Sequence, residues 1–304
     1  MLQRVGIDWL GRPLEIEYRM VGDASPDPTD NPVMVFLHEG LGSVAAWKDF
    51  PETLCRRLGM RGLIFSRFGY GDSTPRPAAE RFPVDFMQRQ ANEVLPPLFK
   101  ALQIQRPWLF GHSDGGSIAL LHAARSEADL RGIVVVAPHI FVEDLTIDSI
   151  RTVRETYLNT GLREKLGRFH ADVDSAFWGW NDVWLDPQFR AFNIEAECER
   201  ITCPILAIQG ADDEYGTLEQ IRGIARRNPG TTLAVLPACG HSPQRDAPQA
   251  VIETVARFIM QAAGSAIADA GNGKNNNRNK TGHVDKNSGG NSNKNTRDNT
   301  EETP

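Results

Sequence analysis

The chain has 304 residues, 40 % hydrophobic and 24 % charged, with a formal net charge of −6. A chain of this length and make-up buries a substantial core and holds one large or two ordinary domains. The negative balance speaks against a nucleic-acid partner, which needs a concentrated basic surface, and no apolar run is long enough to span a membrane. The N-terminal Met1-Leu2-Gln3-Arg4 stretch opens no apolar signal region. Cys55, Cys198, Cys203 and Cys239 form neither C-x-x-C nor a zinc spacing with histidine. Reduced thiols, a cytoplasmic location, no metal and no cofactor are therefore expected, with the oligomeric state left open.

Taken in chain order, Leu14–Val21 and Val33–Leu37 read as strands, the first after a Gly-Arg-Pro turn. Trp47–Leu58 reads as a helix and Gly62–Ser66 as a strand. Val84–Leu102 is amphipathic, but Pro96-Pro97 must kink or interrupt it. A short apolar run, Pro107 to Phe110, leads into Gly111-His112-Ser113-Asp114-Gly115-Gly116, and an apolar helix-like stretch from Ser117 follows. Ile133–Ala137 is a continuous apolar strand. Ile205–Ile208 and Leu233–Leu236 are further strands, with helices at Leu218–Arg227 and Ala250–Ala262. Near-continuous apolar strands alternating with helices predict an α/β fold, a mostly parallel central sheet with helices on both faces. Ligands in such sheets bind beyond the carboxyl ends of the strands.

Two segments depart from the alternation. Residues 139–200 contain no clear strand but carry helical charge patterns and the cluster Phe177-Trp178-Gly179-Trp180 with Trp184. This reads as a cap over the sheet, the alternative being a helical layer packed for stability alone. From 264 onward apolar side chains almost vanish, as in Asn275-Asn276-Asn277 and Ser288-Gly289-Gly290-Asn291, so residues 264–304 read as a disordered tail. The core is then 1–138 and 201–263.

Gly111 to Gly115 fits G-x-S-x-G in a strand–turn–helix context, where the middle residue is strained and its side chain stands exposed above the sheet. Ser113 is the candidate nucleophile; alone, the pattern also arises by chance in surface turns. A serine hydroxyl needs a base, and imidazole titrates near neutrality. His241, in Gly240-His241-Ser242-Pro243 beyond the last apolar strand, has the best position for one. His112 should point away from Ser113, His122 lies within a helix, His38 braces its loop, and His139 has no supporting motif. His170 falls in the insertion and His283 in the tail.

With His38-Glu39-Gly40-Leu41-Gly42-Ser43, Arg67-Phe68-Gly69-Tyr70-Gly71-Asp72-Ser73, the elbow, Gly210-Ala211-Asp212-Asp213 and the His241 loop in succession, the chain resembles an α/β-hydrolase over nearly its whole body. The resemblance implies a triad in the order Ser113, Asp213, His241, its G-x-x-D spacing selecting Asp213 with Asp212 as runner-up. It implies oxyanion donors on the backbone of Asp114 and Gly40. Glu39 stands where the family commonly has glycine and is expected to point away or be paired. Serine as nucleophile implies a serine hydrolase acting on a small-molecule carboxylic ester or lactone through an acyl-enzyme, not a dehalogenase or epoxide hydrolase. The acidic Glu39 and Asp114 favour a neutral or cationic substrate. Glu39, Trp178 and Trp180 are candidate substrate contacts, though the tryptophans equally suit a cap core. C–C bond hydrolases, enol-lactonases, cofactor-free oxygenases and acyltransferases share the architecture, and some relatives are ligand receptors with little turnover.

Overall fold

The computed structural model describes residues 1–22 and 32–276, with side chains described to residue 263. The chain divides into two units, 1–261 and 262–304. In the first, strands β1 (Gln3–Trp9), β2 (Arg12–Val21), β3 (Val33–Leu37), β4 (Arg61–Phe65), β5 (Trp108–His112), β6 (Gly132–Val136), β7 (Ile205–Gly210) and β8 (Thr232–Leu236) form one sheet. Their order is β1-β2-β4-β3-β5-β6-β7-β8. β2 pairs antiparallel with both β1 and β4, and β3 through β8 pair in parallel. The expected mostly parallel α/β sheet is present.

β1 has no apolar run to announce it. Its pairing comes from Leu10 and Gly11, both at positive φ (53° and 84°), which close a two-residue hairpin turn and put Trp9 opposite Arg12. β3, β5, β6 and β7 are buried at every residue, as strands covered on both faces must be. β8 differs: it is the far edge, and Leu233 and Val235 of its apolar run are exposed.

Helix α1 (Phe50–Leu58) ends at Gly59, whose φ of 63° suits its left-handed cap. The expected interruption at Pro96-Pro97 is a shift in winding, not a break. A single π-helical turn, Gln90–Val94, joins α2 (Phe86–Arg89) to α3 (Leu95–Ala101), and the prolines fall in the first turn of α3. That arrangement orphans carbonyls, and His122 of the next helix and Arg125 just beyond it supply donors for them. His122 Nδ1–H donates to Ala91 O at 2.8 Å, and Arg125 donates to Asn92 O at 2.7 Å. Between β6 and β7 come α5 (Asp144–Asn159), α6 (Leu162–Leu166), α7 (Val173–Trp184), a 3₁₀ turn (Pro187–Ala191) and α8 (Glu195–Cys198). This insertion belongs to the same compact unit as the sheet. α9 (Glu219–Arg227) and α10 (Pro243–Asp246) follow β7 and β8.

The last helix, α11 (Pro248–Asn276), passes the boundary expected at 264, because Ala262, Ala263, Ala266 and Ala268 still favour helix. The helix thus runs through Asn276, into the segment read as a tail. The rest of the expected tail, 277–304 with His283, lies outside the described residues.

Helix α4 (Asp114–Ala123) begins directly after β5 and sits hard against the sheet. A Cβ on Gly115 would lie 2.1 Å from Leu37 O at the end of β3, and one on Gly111 would lie 2.2 Å from Gly115 O. Neither glycine has positive φ, so both are required by steric room and not by conformation. Gly115→Ala is expected to destabilise the fold by about 3 kcal/mol, the upper range for overpacking. A urea unfolding midpoint close to that of the wild type would refute the close approach.

Candidate active site

Ser113 caps α4 with φ 52° and ψ −120°, left-handed for a residue with a Cβ. Such a conformation costs about 1–3 kcal/mol and persists only where its surroundings enforce it. Here Ser113 N–H donates to Val136 O of β6 at 2.9 Å, and Ser113 O accepts from Gly116 N at 2.8 Å. The strained turn lifts Oγ off the end of β5. It lies 3.0 Å from His241 Nε2, and His241 Nδ1 lies 2.8 Å from Asp213 Oδ1. The carboxylate can only accept, so Nδ1 carries the proton and Nε2 is left as acceptor for the serine hydroxyl.

Each partner is fixed by its own loop. β7 stops at Gly210, where a Cβ would lie 2.1 Å from Cys239 O and 2.3 Å from Gly240 O, so the acid and base loops touch through a glycine. Asp212 N–H donates to Cys239 O at 2.9 Å, and Asp212 itself is exposed. Asp213 is the carboxylate turned inward, as the spacing implied. Its Oδ1 also accepts from Tyr215 N–H at 2.9 Å and its Oδ2 from Gln209 Nε2 at 3.0 Å. Burial acts to raise the Asp213 pKa, but the hydrogen bond and charge of His241 and the Tyr215 N–H outweigh it and hold the carboxyl below its ordinary value. His241 is steadied from behind: its N–H donates to Glu214 Oε2 at 3.0 Å, and its carbonyl accepts from His112 Nε2–H at 2.7 Å. His112 points away from Ser113, as expected, yet braces the base.

The backbone N–H groups of Gly40 and Asp114 have no acceptor among the described residues. Both residues line one cavity with Ser113, where free donors can receive a developing oxyanion. Arg67, buried to 1 % exposure, ties their two loops together. Its guanidinium donates to Glu39 O at 2.8 Å and lies 3.7 Å from Asp114 Oδ2, while its backbone N–H donates to His38 Nε2 at 3.0 Å. Burial raises the Asp114 pKa, opposed by Arg67 and by Trp184 Nε1–H, which donates to Oδ1 at 3.1 Å. The Asp114 side chain is therefore engaged with Arg67 and Trp184, and its charge is not a free acidic feature of the cavity.

Glu39 folds back over Gly42, where a Cβ would lie 2.5 Å from Glu39 Oε2, and its carboxylate is 3.6 Å from His112 Nδ1. Burial acts to raise its pKa, but His112 and His38 overcome this and bring it to about 2. Glu39 thus turns its carboxylate toward His112 while still lining the cavity.

The cavity measures about 260 Å³ and lies between the sheet edge and the insertion, with Ile150 and Val153 of α5 and Trp180 and Trp184 of α7 among its walls. Trp180 packs so close to the Gly40 loop that a Cβ there would lie 2.1 Å from its Nε1. Trp178 does not reach the cavity. Successive side chains on a helix point about 100° apart, so residues two apart leave it in nearly opposite directions. Trp178 accordingly packs on Tyr157 and Phe177 under the Arg154 guanidinium. His170 fastens the insertion to the core: Nδ1 accepts from Gly71 N–H and Nε2–H donates to Leu41 O, both at 3.0 Å. A larger cleft of about 780 Å³ lies at the other end of β5 and β6, lined by Arg106, Pro107, Leu130 and Arg131, and holds no comparable constellation. Among the described residues, no cluster of His, Cys, Asp and Glu could hold a metal ion. Sequence reasoning missed Gln209 and Arg67; the second lies in the quoted Arg67–Ser73 motif, and the first carries no signal.

The alpha/beta hydrolase family model matches residues 34–254, from β3 to α11. The chain belongs to the alpha/beta hydrolase family. Its relatives include human Serine hydrolase BPHL, 28 % identical over 189 residues, a match covering 57 % of this chain and 60 % of that protein. The chain thus spans less than two thirds of that relative's length. A putative carbamate hydrolase RutD from Caulobacter sp. (strain K31) is 27 % identical over 259 residues, covering 78 % of this chain and 94 % of that protein. Among solved structures, one from work on carboxylesterases of the thaumarchaeon Nitrososphaera gargenis superposes with a TM-score of 0.68 at 18 % identity, covering 86 % of this hydrolase and all of that chain.

Arg67→Met is expected to destabilise this alpha/beta hydrolase by about 3–5 kcal/mol, because Asp114 is left buried and unpaired. Adding Asp114→Asn should recover much of the loss in chemical denaturation; no recovery would deny the pair. Asp213→Asn is expected to lower kcat on 4-nitrophenyl acetate by about 10⁴-fold through loss of the correct imidazole tautomer, whereas Asp212→Asn leaves it unchanged. Because the folded Asp213 pKa is depressed, its stabilisation is present above the unfolded value of about 3.9 and is lost as pH falls through the lower folded value. The gap in melting temperature between wild type and Asp213→Asn should therefore narrow on acidification from pH 7 to pH 3.

Proposed function

We propose that the protein is a serine hydrolase that cleaves a small carboxylic ester or lactone through an acyl-enzyme. The observation that carries this reading is the continuous hydrogen-bonded line from Ser113 Oγ through His241 to Asp213, opening on a cavity beside two unbonded backbone donors. In the proposed cycle His241 takes the Ser113 proton as Oγ attacks the acyl carbon, and Asp213 stabilises the imidazolium. The Gly40 and Asp114 N–H groups bind the oxyanion, and His241 then returns the proton to the leaving oxygen. Water, activated by the same imidazole, releases the acid and restores Ser113. The helical insertion acts as the cap, with Trp180 and Trp184 as the substrate's apolar wall.

Serine hydrolase and carboxylesterase relatives support this chemistry. Glu39, ionised down to about pH 2, sits at the cavity wall and supports a neutral or cationic substrate over an anionic one. Four unpaired thiols, three of them buried, support a cytoplasmic location; no described helix is long and apolar enough to cross a membrane.

A fluorophosphonate probe is expected to label the wild type at Ser113, and Ser113→Ala to lose both the label and turnover, by about 10⁴–10⁶-fold in kcat. On an ester panel matched in size, uncharged members should be preferred to dicarboxylates. Labelling that survives Ser113→Ala would reject the nucleophile, and a dicarboxylate preference would reject the electrostatic reading.

A further inference from the structure

His139 follows the carboxyl end of β6 and has no part in the relay. The chain reaches it through Ala137, whose φ of 45° is left-handed for a residue with a Cβ, and then Pro138. Strain of this kind persists where the surroundings hold a side chain in a required place. The backbone of His139 is clamped on both sides by one hydroxyl: its N–H donates to Ser117 Oγ at 3.0 Å, and Ser117 Oγ–H donates to its carbonyl at 2.6 Å. The ring is fixed as firmly, edge-on to Trp184 at 5.0 Å and 5.6 Å from the His241 ring, measured between centroids.

Its nitrogens, by contrast, are unused. Nδ1 is buried with no hydrogen-bond partner, and no described group bonds Nε2. A histidine only 2 % exposed and lacking partners for its polar atoms is uncommon in a folded interior. The residue lines the cavity with Ser113; Ile150, Val153 and Trp184 are among the other walls, and Gly216 lies beside the ring, where an added Cβ would be 3.5 Å from Cε1. Of the other polar cavity groups, Thr146 Oγ1–H donates to Tyr215 O and Trp184 Nε1–H to Asp114 Oδ1, and neither bonds His139. Burial first, then the charges of His241 and His112, lower its pKa to about 3, so the ring is neutral at working pH. A neutral imidazole of so low a basicity is a poor general base and gives no countercharge to an anion. It serves well as a donor or acceptor toward an uncharged oxygen.

We infer that His139 is a specificity residue that hydrogen-bonds a second, uncharged oxygen of the substrate, a hydroxyl or ketone carried on the acyl portion in addition to the scissile carbonyl. This inference rests on the acyl-enzyme reading of the same cavity. A substrate lacking that oxygen leaves the imidazole unsatisfied beside the reacting centre and is discriminated against. At about 260 Å³ the cavity restricts the acyl portion to a short chain or small ring.

The test uses the full-length protein and 4-nitrophenyl esters of butyrate and of its 2-, 3- and 4-hydroxy and 3-oxo derivatives. Wild type should favour at least one oxygenated ester in kcat/KM. His139→Phe keeps a packed ring and removes both nitrogens; it should reduce that preference, read as the ratio of kcat/KM for the oxygenated ester to that for the butyrate ester, roughly 3- to 10-fold, the worth of one hydrogen bond. His139→Gln, which restores a donor and an acceptor, should regain part of the preference. Fluorophosphonate labelling of Ser113 in both variants certifies that the fold and the Ser113 site are intact. A wild type indifferent to every added oxygen, or a preference untouched in both variants, would overturn the role of His139 while leaving the hydrolase reading in place. Absence of Ser113 labelling and ester turnover in the wild type would overturn the hydrolase reading itself, and this proposal with it.

Discussion

The left-handed backbone of Ser113 is the constraint around which the rest of the site is arranged. A residue with a Cβ does not stay at φ 52° by preference. It stays because β5 is locked between β3 and β6, while α4 must begin at once and lie against the end of β3. Gly111 and Gly115 make that packing possible by having no Cβ to strike Gly115 O or Leu37 O. Several consequences share this cause. Ser113 Oγ is raised off the sheet toward His241, Asp114 N–H is left without an acceptor at the first turn of α4, and the Asp114 side chain is driven into the interior beside Arg67.

That last consequence makes the electrostatics internally consistent. A fully buried carboxylate next to a developing oxyanion would oppose the reaction if it stood alone. Arg67 answers it, and by also donating to Glu39 O it holds the loop that carries Gly40. One guanidinium therefore offsets the charge introduced at Asp114 and sets the spacing of the two loops that present N–H groups. Glu39 is managed in another way, folded onto Gly42 and set beside His112, whose other nitrogen supports the carbonyl of His241. The acidic residues around Ser113 form parts of a balanced network, and Glu39 and Glu214 both line the cavity, Glu214 with Oε2 held by the His241 N–H.

Much of the fold was legible because buried parallel strands are short apolar runs; Val33–Leu37 coincides with β3, and Ile133 to Val136 lies within β6. β1 was not legible, since a half-exposed edge strand such as Gln3–Trp9 carries no such run and owes its existence to a turn. β8 looked apolar yet lies at the open edge, a fact of strand order that no local pattern contains. In the candidate site, local motifs pointed to Ser113 and His241, and the spacing from Gly210 pointed to Asp213; these are three side chains that the fold joins by hydrogen bonds. Trp178 and Trp180 could not be told apart, because two residues of one helix turn face different neighbours and only the position of α5 decides which neighbour is the cavity. Gln209, which fixes the acid, sits in a strand end without any motif.

The sequence by itself determined the secondary elements of a parallel sheet and the chemistry on offer: a serine in a strained turn, a carboxylate and an imidazole, in that order. These follow from short-range sterics and from residue type, which a linear pattern records. The tertiary structure alone decided what each polar group faces. It brought the Gly210 and Gly240 loops into contact so that Asp213 meets His241, paired Asp114 with Arg67, and left the nitrogens of His139 unbonded at the cavity wall. Such outcomes depend on distances between residues far apart in the chain, where burial turns a small displacement into a satisfied or an unsatisfied hydrogen bond.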